Sequence, residues 1–249
     1  MQPEPHPKTP RPLMPSILPG FFALALLTLS LAAGATAAAP VAPFSATYEV
    51  RRNGDLLGEA TLRLARDGNG WRFTQITRGT QGLAQIAGVR IDESSRFRYL
   101  PDGRPETTQY DYAMRTRFND RRRGARVLGG DIEFSRGDER WRVPHIAGAV
   151  DRQLLTVVLM QAVTAGRSGL QTVQVVGRDA VEPQAWAIGR LEPVPGVDGK
   201  GRRVERIRET PDGRSTVLWL KADADHVPLR IEQREDDGEI IEMRLLRRG

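Results

Sequence analysis

Short segments of alternating apolar and polar residues, separated by glycine-containing turns, recur along this chain from Phe44 to its end. In the first segment, 44–52 (FSATYEVRR), every second residue is apolar or aromatic, which is the period of a half-buried strand. Asn53-Gly54 follows as a two-residue hairpin signal, because both positions tolerate positive φ. Comparable turns occur at 101–103 (PDG), 211–213 (PDG) and 236–238 (DDG). The pattern predicts an antiparallel meander.

One segment breaks this rhythm and has the pattern of a helix, 151–166 (DRQLLTVVLMQAVTAG). Asp151 suits the N-cap, and Gly166 suits the left-handed residue that ends a helix. A helix that is apolar almost all round must be covered on more than one side, whereas an interfacial membrane helix has a strongly charged face. The sequence therefore predicts a mainly β (α+β) fold, in which a single curved antiparallel sheet forms an open barrel around one buried helix at about 151–165.

A second segment without alternation, 79–88 (GTQGLAQIAG), is compatible with two structures. It forms either one or two turns of helix or a loop that lies across the sheet edge. Its small apolar residues between glycines suit a cover over a cavity as well as an ordinary packed connection.

The N-terminal segment has the features of a secretory signal peptide. Lys8 and Arg11 precede an apolar run at 21–33, and Ala35 and Ala37 supply the small residues that a signal peptidase reads. The run is shorter than the roughly 20 residues that span a bilayer. We expect cleavage after Ala37, a linker at 38–43, a single β domain at 44–249 with no further transmembrane segment, and a periplasmic location.

The charge is basic, with 37 Lys and Arg against 31 Asp and Glu, and only three of the basic residues are lysines. The densest run, Arg117–Arg126, is interpreted as a solvated turn, with contact to anionic lipid or another envelope polymer as the alternative. A role as an assembly partner would place an envelope protein at this run. No basic segment is interleaved with aromatic residues, so no nucleic-acid partner is expected. Cysteine is absent, which excludes disulfides, thiolate metal sites and acylation at cysteine.

The sequence contains no recognisable catalytic constellation. Beyond the N-terminal segment it has two histidines, His145 and His226, and neither has the spacing of a zinc site. The acidic pairs 92–93 and 236–237 are interpreted as surface charge. No cofactor, metal or catalytic residue is therefore predicted.

Aromatic residues fall in most of the predicted strands, so that one sheet face is either ordinary core or the lining of an apolar cavity. The candidate ligand contacts are Trp71, Phe73, Phe97, Tyr110, Tyr112, Val157, Met160 and Trp219. The leading hypothesis is a non-enzymatic protein that binds a hydrophobic or lipid-like envelope ligand in the barrel. The alternatives are a structural or assembly partner with a fully packed core and, third, a hydrolase that acts on an envelope polymer.

Two groups of residues resemble known families. Trp219-Leu220, a charged loop and 228–232 (PLRIE) resemble the hairpin of periplasmic lipoprotein carriers of the LolA/LolB-like fold. The segment 48–50 (YEV), with the glycines that follow it, the helix at 151–165 and the pattern at 219–232 resemble a family of uncharacterised exported Gram-negative proteins, DUF3108. The first resemblance implies an unclosed barrel around helices, and the second implies no established activity and no site residues.

Overall fold

The strands predicted from the alternating pattern pair into one continuous sheet in the computed structural model of the protein. The structure describes residues 41–208, 212–223 and 226–249. Within those residues the sheet has fifteen strands and is accompanied by helices α1 (Gly82–Ile86) and α2 (Leu155–Thr164). The strands are β1 (Phe44–Arg52), β2 (Asp55–Asp67), β3 (Gly70–Gly79), β4 (Arg90–Tyr99), β5 (Pro105–Arg115), β6 (Asp120–Leu128), β7 (Asp131–Arg136), β8 (Glu139–Pro144), β9 (Val150–Asp151), β10 (Gly169–Val176), β11 (Val181–Pro193), β12 (Lys200–Ile207), β13 (Ser215–Lys221), β14 (Pro228–Arg234) and β15 (Ile240–Arg248).

The strand order shows how the sheet curves into an open barrel. From one edge to the other the strand order is β8 to β1, followed by β15 to β9. The first and last strands of the chain, β1 and β15, therefore pair with each other in the middle of the sheet. All neighbouring strands are antiparallel except β9 and β10. Register shifts, such as those at Val50/Arg51 and Arg96/Phe97, add local bends. The predicted mainly β fold with an unclosed sheet is confirmed.

The concave face of the sheet holds the main core and the helix. Along β1 the alternation predicted from sequence appears as burial of Phe44, Ala46, Tyr48 and Val50. These side chains belong to the same apolar cluster as seven residues of the α2 region. Those residues are Leu154, Leu155, Val157, Leu159, Met160, Ala162 and Val163.

The start of α2 differs from the prediction. Regular helix begins at Leu155, and its N-cap is Leu154, which makes no side-chain capping bond. Asp151 instead lies in β9, and its carboxylate accepts the backbone N–H groups of Gln153 and Leu154 in the turn that leads into the helix, both at 2.9 Å. At the other end Gly166 adopts the predicted left-handed conformation, with φ of 70°.

The segment 79–88 forms the first of the two predicted alternatives, a short helix, and α1 has no buried residue. Close backbone packing accompanies it. A Cβ atom added at Gly79 would lie 2.7 Å from the carbonyl oxygen of Ala84, so glycine lets α1 fold back over the end of β3.

The signal peptide predicted at 1–37 lies outside the described residues. Among the residues that are described, no helix has the length and apolar character needed to cross a membrane.

Candidate functional site

A cavity of about 170 Å³ lies beside α2, at the end of the barrel where β4 turns into β5. Most of its apolar lining comes from β9, α2 and β10, namely Val150, Val158, Leu159, Ala162 and Val173. The turn at 102–105 and the loop at 147–148 add Pro105 and Ala147. The other lining side chains are mostly polar and come mainly from that turn and from the segment 171–174. The site thus combines an apolar wall on one side with a polar wall on the other.

One hydrogen bond closes the end of α2, and another joins the helix to the facing turn. The backbone N–H of Arg167 donates to the carbonyl of Ala162 at 2.9 Å, which closes the helix at Gly166. The side-chain amide of Gln161 donates to the carbonyl of Gly103 at 2.9 Å. Because Gln161 is buried, this second bond fixes the distance between the helix and the β4–β5 turn.

The loop that closes the polar wall is held by Glu106, a buried residue of β5. Its carboxylate accepts the N–H of Gly148 at 2.9 Å and two N–H groups of Arg98 at 2.8 and 3.0 Å. Burial by itself raises the pKa of Glu106, but the hydrogen bonds from Gly148 and Arg98, together with the nearby charges of His145 and Arg98, outweigh it and leave the pKa below its usual value. Glu106 therefore stays ionised and anchors the loop.

Positive charge lies at the rim of the cavity. Arg104 and Arg167 are both exposed lining residues. Arg104 pairs with Asp102 at 2.7 Å, whereas Arg167 has no ion-pair partner among the described residues. Within the part of the chain that the structure describes, the cavity consequently presents one guanidinium without an ion-pair partner beside an apolar interior.

Behind the cavity a buried carboxylate joins β9 to β4 and β5. Asp151 is fully buried and accepts hydrogen bonds from the hydroxyls of Ser95 at 2.7 Å and Thr107 at 2.8 Å. The backbone continues the link, since the N–H of Thr107 donates to the carbonyl of Ala149 at 3.0 Å. This seam brings the stretch before α2 against β5.

A second buried acid extends the seam. Glu93 accepts hydrogen bonds from the hydroxyl of Tyr110 and from Arg152, whose Nε lies 2.8 Å away. Burial raises the pKa of the Tyr110 phenol. The interpretation of Glu93 as surface charge is wrong, because the side chain is 7% exposed and faces the barrel interior, while Asp92 faces outward and pairs with Arg90.

The eight residues predicted as ligand contacts are distributed over several parts of the molecule. Five belong to the main core, namely Trp71, Phe73, Phe97, Val157 and Met160. Tyr110 belongs to a second core with Phe134, and Trp219 to a third with Leu229. Tyr112 is partly buried and lines an outer groove. None of the eight lines the cavity beside α2, and their role as ligand contacts stays a prediction.

The outer groove is larger, about 800 Å³, and lies across β3 to β8. Its lining contains five arginines and, apart from the inward-facing Glu93, four acidic residues. Three of those arginines already pair with acids, as in Arg72–Asp67, Arg115–Asp92 and Arg122–Asp120. This balance gives the groove no clear preference for a charged ligand, and the cavity beside α2 is the better candidate site.

The two histidines have different surroundings. His145 Nε2 lies 3.3 Å from Glu106 Oε1, and His226 Nδ1 lies 2.7 Å from the carbonyl oxygen of Lys221. Within the described ranges no group of three or more His, Cys, Asp or Glu residues is arranged to hold a metal ion.

Comparison with solved structures identifies one protein with a similar fold and a second, weaker match. A β-barrel-like protein of the DUF1849 domain family from Brucella abortus superposes with a TM-score of 0.53 at 12% identity, over 84% of this chain and 98% of the other. A DUF1089 family protein from Pseudomonas aeruginosa gives a TM-score of 0.37 at 10% identity, over 68% of this chain and 87% of the other. The first likeness supports the barrel-like fold.

The sequence comparisons address the family. No curated protein matches this chain. The model of a family described as a protein of unknown function, DUF3108, matches residues 44–245, which confirms the resemblance seen at the two ends of the domain. The chain belongs to the DUF3108 family.

Proposed function

We propose that this protein is a non-enzymatic binding protein that takes the apolar part of a lipid-like envelope ligand into the cavity beside α2. The observation that carries the proposal is the combination of an apolar wall, formed by Val158, Leu159 and Ala162, with the charge of Arg167 at the rim, which has no acidic partner among the described residues. Binding sites for small ligands typically pair an apolar interior with a few polar groups that fix orientation.

The size of the cavity limits what it takes. An apolar cavity of about 150 Å³ accommodates one benzene-sized molecule. The volume of about 170 Å³ thus suits about six carbon atoms, the end of an acyl chain or a single ring, and not a whole lipid. An anionic group attached to such a segment would lie at Arg167 or Arg104.

Hexanoate is a suitable test ligand, since it joins a six-carbon segment to one negative charge. We expect saturable binding of hexanoate by calorimetry, and loss of that binding in Ala162→Trp, because the indole fills the cavity. Arg167→Gln is expected to weaken binding about 5-fold, the equivalent of one surface ion pair.

Ala165→Trp is the matched control, because Ala165 is exposed at the end of the same helix and does not line the cavity. It should bind hexanoate like the wild type, and thermal unfolding shows that each variant is folded. Equal affinities for wild type and folded Ala162→Trp would contradict the proposed site. Hexan-1-ol binding as tightly as hexanoate would contradict the role of Arg167.

We also infer that the chain acts outside the cytoplasm, as the apolar run and the small residues Ala35 and Ala37 suggest. When the full chain is expressed in a Gram-negative host, the periplasmic fraction is expected to contain protein that begins at Ala38. N-terminal sequencing checks this result. Ala37→Arg should block cleavage, whereas Ala39→Arg should leave the cleavage site readable. Recovery of the wild type only in the cytoplasm with Met1 retained would contradict export.

A further inference from the structure

Three large apolar side chains are strongly exposed on two neighbouring connections of the sheet. Leu83 is 83% and Ile86 63% exposed on α1, between β3 and β4, and Phe118 is 86% exposed in the turn between β5 and β6. In an antiparallel meander both connections lie at the same end of the sheet, and the β4–β5 turn beside the cavity lies at the opposite end. We call these three residues the apolar tip.

The backbone that presents the apolar tip is hydrogen-bonded. In the β5–β6 turn the hydroxyl oxygen of Thr116 accepts the N–H groups of Phe118 at 3.2 Å and Asn119 at 2.9 Å. The N–H of Thr116 donates to the carbonyl of Asn119 at 2.8 Å. The exposed phenylalanine thus lies on a turn that is held by hydrogen bonds.

The two connections are also joined to each other. The N–H of Arg117 donates to the carbonyl of Ala87 at 2.9 Å, which ties the β5–β6 turn to the end of α1. The site that a Cβ of Gly88 would occupy lies 3.5 Å from Cγ of Arg117. The apolar tip is therefore one surface.

Positive charge accompanies this surface. Arg117 and Arg121 are exposed and, among the described residues, form no ion pair. Asp120, which lies between them in β6, is engaged by Arg122 at 3.0 Å, and α1 contains no acidic residue. Exposed apolar side chains next to arginines without an acidic partner among the described residues complement a membrane surface, which has anionic headgroups outside and acyl chains beneath them.

We propose that the apolar tip docks onto an anionic lipid bilayer, with Leu83, Ile86 and Phe118 entering the headgroup region and Arg117 and Arg121 contacting lipid phosphates. A stable protein partner requires roughly 1,000 Å² of buried surface. Three side chains on two short connections provide much less, whereas insertion of a few apolar groups beside basic residues is sufficient for peripheral membrane contact. The docking surface is separate from the cavity and does not depend on the proposed ligand.

The absence of cysteine allows the contact to be measured at single positions in the full chain. Phe118→Cys and, separately, Leu83→Cys are labelled with an environment-sensitive fluorophore and mixed with vesicles. We expect a blue shift with vesicles that contain phosphatidylglycerol and little or none with phosphatidylcholine alone. Leu170→Cys is the control, since Leu170 is 64% exposed at the start of β10, at the opposite end of the sheet, and its label should not shift.

Charge is tested by a matched pair of double variants in the Phe118→Cys background. Arg117→Gln with Arg121→Gln should raise the lipid concentration for half-maximal shift about 25-fold, at about 5-fold for each arginine. Arg63→Gln with Arg190→Gln, which removes the same charge from two exposed arginines elsewhere, should leave it unchanged. The proposal is wrong if the label at 118 does not shift with anionic vesicles, if it shifts equally with neutral ones, or if it shifts without lipid as protein concentration rises, which would indicate self-association.

Discussion

Asp151→Ala is expected to lower the free energy of unfolding by about 3 kcal/mol, because it leaves several buried donors without an acceptor. The wild-type carboxylate accepts hydrogen bonds from the hydroxyls of Ser95 and Thr107 and from the N–H groups of Gln153 and Leu154. All of these groups lie on the seam between the stretch before α2 and the strands β4 and β5. The loss therefore affects the position of the helix and the cavity wall together.

Urea unfolding of wild type and variant measures this effect. Ser95→Ala is the graded control, because it removes one of the four donors and is expected to cost about 1 kcal/mol. A cost for Asp151→Ala no greater than that of Ser95→Ala would mean that the seam contributes little to stability.

The stability contribution of Asp151 should also depend on pH. Burial raises the pKa of Asp151 to about 6, although hydrogen bonds from Leu154, Ser95 and Thr107 partly oppose the shift. An aspartate in an unfolded chain titrates near pH 3.9, so the folded protein binds this proton more tightly. The stabilisation from protonation is therefore full below about pH 4 and is lost as the pH rises through about 6.

Asp151→Asn isolates this dependence, since asparagine has nearly the same shape and does not titrate. The unfolding free energy of wild type relative to Asp151→Asn should increase by about 2 kcal/mol as the pH falls from about 7.5 to about 4. A difference that stays constant or shrinks on acidification would show that the four donors keep the carboxylate ionised. Acids with lowered pKa, such as Asp67 and Asp92, have the opposite pH dependence, but they are present in both proteins and cancel.

The alternation of apolar and polar residues, together with the turn residues, was sufficient to predict most of the fold from the sequence. The alternation along 44–52 and the Asn53-Gly54 turn predicted β1 and its hairpin, because a strand with one buried face repeats every two residues. The same two-residue period would have located Glu93 correctly. Glu93 lies four residues before the buried Phe97 and so on the same face of β4, which indicates an inward carboxylate. The adjacent Asp92 made the pair look like surface charge.

The cavity could not be predicted in the same way. Val157 and Val158 are adjacent and chemically identical, yet Val157 is fully buried in the core and Val158 lines the cavity. Which of them meets open space depends on where the β4–β5 turn and the loop at 147–148 come to lie. Those positions are fixed by Gln161 and Glu106, through bonds to Gly103 and Gly148 that are distant in sequence.

Met160→Ala is expected to lower the free energy of unfolding by about 3 kcal/mol, as usual when a buried large side chain is truncated and leaves a void. Met160 is fully buried in the main core and does not line the cavity, so hexanoate affinity should be unchanged in the folded variant. Chemical unfolding and calorimetry on the same samples separate the two effects. Ala165→Gly is the control for a truncation outside the core, because Ala165 is the exposed C-cap residue of α2, where glycine is well tolerated and little change in stability is expected.

The comparison with Ala162→Trp tests how α2 divides its surface. Both residues belong to the main core, but only Ala162 also lines the cavity. Met160→Ala should therefore lose stability and keep ligand affinity, whereas folded Ala162→Trp should lose affinity. A marked loss of hexanoate affinity in folded Met160→Ala would instead favour the sequence-based prediction that Val157 and Met160 contact the ligand. In that case the ligand would bind on the opposite side of the helix, within what is otherwise the packed core of the barrel.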